Sequence, residues 1–168
     1  MKIILLTIAT SMLLIFLATI PSHANPYCTF RGGNCVYFTY ECVDAYWSMT
    51  PNIPRDWDAC RWVELIGQEK DGFIIEQVET PTIGDIFVLP QTLEYPYGHV
   101  GMIIGVTWEI CLADGSYEVC YKVIESSMYP DLEQFRYEYK GCLFRYHNYW
   151  QENFEDAVFL RCVREVIT

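Results

Sequence analysis

The sequence predicts an α+β domain in which N-terminal helices pack on one side of an antiparallel β-sheet of meander type. Three observations predict it. A helix-start signal at Asn34 opens a stretch whose apolar residues recur at three- and four-residue steps. A second helical stretch lies between Pro54 and Gly67. From Gly72 onward the apolar residues fall instead in short β-branched and aromatic runs separated by turn residues.

Arg31-Gly32-Gly33-Asn34 is a turn-and-cap sequence, and Asn34 is a good N-cap for a helix expected from Cys35 to about Trp47. Phe38, Cys42 and Ala45 or Tyr46 form its inward face. After Pro51 and Pro54 a second helix is expected from Arg55 or Asp56 to Leu65 or Ile66, closed by Gly67. Phe73 to Val78 reads as a strand, Thr80-Pro81-Thr82 as a turn, Asp85 to Leu89 as a buried strand and Gln91 to Tyr97 as a loop. Val100 to Val106 and Val119 to Ile124 form an apolar pair about an Asp114-Gly115 turn. Phe135 to Tyr139, Leu143 to Tyr146 and Ala157 to Val163 complete the strands.

Lys2 precedes an apolar run from Ile3 to Ile20, and Ser22-His23-Ala24 supplies the small residues of a cleavage site. Residues 1–24 are therefore expected to be a signal peptide, with a retained membrane anchor as the alternative. No repeat or linker divides residues 25–168, which read as a single domain, secreted or periplasmic, monomeric, and without membrane association once cleaved. All eight cysteines follow Ala24, and an oxidising compartment makes a disulfide-containing fold the expectation. Cys111 and Cys120, flanking the Asp114-Gly115 turn, are the candidate pair. The net charge of −11, spread along the chain, argues against a nucleic-acid partner and against tight static binding to an anionic wall.

A nucleophilic cysteine needs a thiolate-favouring setting, partial exposure and a base within reach. Cys35 sits where the unpaired amides and dipole of a helix start favour a thiolate and where an oxyanion can be held. The other reading makes it a half-cystine with Cys28 or Cys60. Once the leader is removed only His99 and His147 carry imidazoles. His99 opens an apolar strand after a Pro-containing loop and is the candidate base; His147, among Tyr146, Asn148, Tyr149 and Trp150, reads as a packed or surface residue. Glu125, at the end of the returning strand, is the candidate to orient the imidazole, with Asp131 and Glu133 as substitutes. A tight hairpin would set Glu125 across from about Ile104 rather than beside His99, so the connection must be asymmetric or bulged. No cysteine or histidine spacing supports a zinc site. Trp57 and Trp62 are either a substrate-lining wall or core.

Five segments carry a family resemblance. Gly33-Asn34-Cys35-Val36-Tyr37-Phe38 resembles the nucleophile motif of the CHAP family of cysteine, histidine-dependent amidohydrolases and peptidases. Arg55-Asp56-Trp57 resembles its tryptophan segment, Thr80-Pro81-Thr82-Ile83-Gly84-Asp85-Ile86 its turn into the sheet, Gly98-His99-Val100 its histidine motif, and Ile124-Glu125-Ser126-Ser127 the strand end carrying its acidic residue. The resemblance spans Gly33 to Ser127 in order. It implies a papain-like α+β fold, hydrolysis of peptidoglycan amide bonds, and no metal or organic cofactor. The catalytic candidates are then Cys35, His99 and Glu125, with Asn34, Ser127 and Trp57 positioning the oxyanion or substrate. The chain departs from the family in having Ser127 where Asn is frequent, in a longer spacing from His99 to Glu125, and in its extra cysteines and acidity.

The reading is a secreted cysteine hydrolase, a peptidoglycan amidase or endopeptidase acting through an acyl-enzyme on peptidoglycan or peptide. Deamidation or proteolysis of a protein substrate would use the same residues. The rival is a disulfide-stapled binding or host-interaction domain of papain-like shape without turnover.

Overall fold

The computed structural model describes residues 25–27, 34–110, 117–127 and 133–164. The expected signal peptide, Cys28, Cys111, the Asp114-Gly115 turn and Asp131 lie outside them.

Helix α1 spans Cys35–Tyr46, and it starts where the cap signal put it: the Asn34 side-chain oxygen accepts from the Val36 N–H at 2.8 Å. The second helix is a 3-10 helix, Ala59–Leu65, shorter and later than expected. Pro54 explains the late start, because its carbonyl accepts the Trp57 N–H and holds Arg55 and Asp56 in a turn.

Eight strands follow: β1 Glu69–Lys70, β2 Phe73–Val78, β3 Ile86–Leu89, β4 His99–Ile110, β5 Tyr117–Glu125, β6 Tyr137–Tyr139, β7 Cys142–Trp150 and β8 Val158–Arg164. They form one antiparallel sheet in the order β1-β2-β8-β3-β4-β5-β7-β6. The α+β expectation is met, but a pure meander is not. β8 returns across the sheet and inserts between β2 and β3, pairing Glu76 with Arg161 and Ile86 with Leu160.

The pleat divides the core in two. Ile86, Val88, Val100, Met102 and Leu160 face the buried side of α1, including Val36, Phe38 and Val43. The opposite face gathers Phe87, Leu89, Ile103, Val123, Tyr149, Phe154 and Phe159. α1 is pinned to the sheet at both ends. Thr39 Oγ1 donates to the Val100 carbonyl near its start, and Trp47 Nε1 donates to the Gly84 carbonyl at 2.8 Å beyond its end. Gly84 has φ +93°, and a β-carbon there would sit 2.1 Å from the Tyr46 ring, so no other residue fits this turn unstrained. One residue on, Asp85 is buried and takes a two-pronged bond from Arg161 of β8, Nε to Oδ1 at 2.9 Å and Nη2 to Oδ2 at 2.7 Å.

The disulfide expectation is not met among the described residues, where Cys35, Cys42, Cys60, Cys120, Cys142 and Cys162 are all free thiols. Cys120 lies across from Thr107 on one side and Trp150 on the other, and its expected partner Cys111 is outside the described residues.

Candidate active site

Cys35 is the first residue of α1, partly exposed, and its thiol is hydrogen-bonded to His99. Asn34, buried beneath it, has its side-chain oxygen committed to the helix cap, so it holds the helix start in place. His99 is the first residue of β4 and follows Gly98, whose φ is +72°. A β-carbon on Gly98 would lie 2.7 Å from both the Cys60 β-carbon and the Leu89 carbonyl oxygen, so this glycine lets the 3-10 helix and β3 close on the chain just before His99. Cys60 fastens the same spot by donating its N–H to the Tyr97 carbonyl.

His99 Nε2 donates to Glu125 Oε2 at 2.8 Å, which leaves Nδ1 for Cys35. This contact depends on register. Met102 pairs with Ile124 and Ile103 with Val123, and a bulge follows before Gly105 pairs with Lys122. Ile110 already pairs with Tyr117, two residues off the register of a tight hairpin, and the bulge adds a third, so Glu125 comes across from Gly101, two residues from His99 and on the same face, instead of across from Ile104. Gly101 adds to the fit: a side chain there would strike the Phe87 ring, which lies 5.8 Å from the imidazole. Tyr95 stacks on the imidazole, the ring centroids 5.2 Å apart and the two planes 21° from parallel.

Glu125 is fully buried. Arg145, directly opposite on β7, donates Nε to Oε1 at 2.7 Å, and the Tyr149 hydroxyl donates to Oε2 at 3.1 Å. Burial alone would favour the neutral acid, but His99 and Arg145 outweigh it and hold the carboxyl below its ordinary range. Burial likewise opposes the charged imidazole, yet the bonds to Cys35 and Glu125 prevail and push His99 up to about 10. A raised imidazole is the stronger acceptor for a proton from Cys35.

The raised His99 has a consequence for stability. Because its folded value lies above its ordinary 6.5, its stabilising contribution is fully present below pH 6.5 and is lost as pH rises toward about 10. Glu125, lowered, works in the other direction and loses its contribution only in acid. Urea midpoints followed by circular dichroism between pH 6.5 and 10 should therefore fall more steeply for the native chain than for His99→Gln. Parallel slopes would show that His99 is not held charged.

These groups open into a groove of ≈ 740 Å³, lined also by Asn34, Trp57, Asp58, Glu94, Tyr97, Ser127 and Phe135. Trp57 is half-buried against the core with one side lining the groove, and the Arg61 guanidinium is 4.8 Å from its ring. Trp62 is core, its Nε1 donating to the Tyr27 hydroxyl. His147 stands away from Cys35, its ring 4.5 Å from Tyr149, and burial lowers its pKa. Glu133 is exposed, and Glu125 alone among the described acidic candidates meets His99.

The CHAP domain model matches residues 25–120, more than half of the chain. The chain belongs to the CHAP family. Members of this family are generally amidohydrolases or peptidases. The matched span holds Cys35 and His99 and ends before Glu125. A comparison with curated proteins finds no match. Sequence reasoning missed Arg145 and Tyr149; their only trace was a strand-like composition, which does not say what lies opposite.

Proposed function

We propose that this CHAP domain is an exported cysteine hydrolase that cleaves amide bonds of peptidoglycan, as an amidase or endopeptidase. The observation that carries the reading is Cys35 at a helix start, bonded to a histidine whose far nitrogen is held by a buried carboxylate. His99 takes the Cys35 proton through Nδ1, and the sulfur attacks the amide carbonyl. The oxyanion lies at the start of α1; the Val36 N–H is spent on the Asn34 cap, and the Cys35 N–H, on the nucleophile itself, is the donor assigned to it. His99 then protonates the leaving amine, and water, giving its proton to the same nitrogen, releases the acyl group. Glu125 keeps the ring turned and supports its charge.

The experiment is iodoacetamide labelling of the mature chain across pH, with peptide mapping, on the native protein and on His99→Ala. Cys35 is expected to label faster than the other thiols, and His99→Ala to slow it at least tenfold at neutral pH. A Cys35 found in a disulfide would replace the hydrolase reading with that of a binding domain.

A further inference from the structure

We propose that Arg145 and Tyr149 are positioning residues for this reaction, fixing both oxygens of the Glu125 carboxylate so that Oε2 stays aimed at His99. The inference rests on the hydrolase reading given above. The last torsion of a glutamate is soft, so a carboxylate is oriented only when partners hold both of its oxygens. Here Arg145 Nε holds Oε1 at 2.7 Å, while Oε2 accepts from His99 at 2.8 Å and from Tyr149 at 3.1 Å. The β5–β7 register makes this possible by setting Arg145 opposite Glu125 and Tyr149 opposite Tyr121, on one face.

The holders are themselves held. The guanidinium of Arg145 rests 4.9 Å from the Phe135 ring, and its Nη1 donates to Gln134. Tyr149 spends its one proton on Glu125, so the Tyr95 hydroxyl bonded to it is the donor. Tyr95 also stacks on the imidazole, so one tyrosine pair ties ring plane and carboxylate together. The titratable groups facing the His99–Glu125 pair are Cys35 from α1, Tyr95 from the loop before β4, and Arg145, His147 and Tyr149 from β7.

Removing Arg145 outright would strand a buried carboxylate, so the variants are Tyr149→Phe, which keeps the ring against Phe87 and Phe154, and Arg145→Lys, which keeps the charge without the fork. Hydrolysis of peptidoglycan by each should show kcat lower by about tenfold with KM little changed. The His99 titration, followed by NMR, should move down toward 6.5 in Tyr149→Phe. Folded variants with native kcat and an unmoved His99 titration would overturn the proposal. The titration needs no substrate: a native chain inert on every wall would defeat the hydrolase reading, while the titration would still uphold or overturn the clamp.

Discussion

Cys35→Ala should lower peptidoglycan hydrolysis by a factor on the order of 10⁴ or more, measured as loss of wall turbidity. In the proposed reaction the sulfur forms the bond to the acyl group, and no other described thiol is hydrogen-bonded to His99. Because Cys35 is partly exposed at the first position of α1, its truncation leaves little cavity, and the melting temperature should change by only about a few degrees. His99→Ala should cost a comparable factor, and the double variant about as much as either alone, since a nucleophile and its base act as a unit. Cys162→Ala, on β8 opposite Ile75, should retain activity. Hydrolysis surviving in Cys35→Ala would remove it as the nucleophile.

Arg161→Met is expected to cause the largest loss of stability, about 3 kcal/mol, or a fall in melting temperature of roughly 10 °C. Asp85 is 2 % exposed, and Arg161 supplies bonds to both of its oxygens. Without the guanidinium the carboxylate retains the Thr82 N–H and hydroxyl, which are neutral donors. Arg161 is itself partly exposed, which keeps the expected loss at the lower end of the range for buried pairs. Its Nη2 also bonds the Thr80 carbonyl and Thr82 Oγ1, so the turn that supports the end of α1 loosens as well. Adding Asp85→Asn should recover part of the loss, because it removes the stranded charge. Equal melting temperatures for Arg161→Met and the native chain would show the pair to be without net effect.

The places where sequence and structure agree share a local cause. Asn34 caps the helix it precedes, Gly67 closes the 3-10 helix at φ +82°, and Phe73 to Val78 is a strand with the expected limits. Each rests on the preferences of a few neighbouring residues. The misplaced second helix is also local, since Pro54 draws the next two residues into a turn that apolar spacing does not reveal.

Local sequence signals were enough to locate Cys35 and His99: a cysteine at a capped helix start and a histidine at the head of an apolar strand behind a glycine. Only the tertiary structure decided what completes them. The β4–β5 register, with its bulge between Ile103 and Gly105, brings Glu125 to His99, and the β5–β7 register brings Arg145 and Tyr149 to Glu125. The insertion of β8 likewise gives Asp85 its partner 76 residues away. Strand register and order are settled by which faces bury together over the whole sheet, and that balance is not written in any one stretch of the chain.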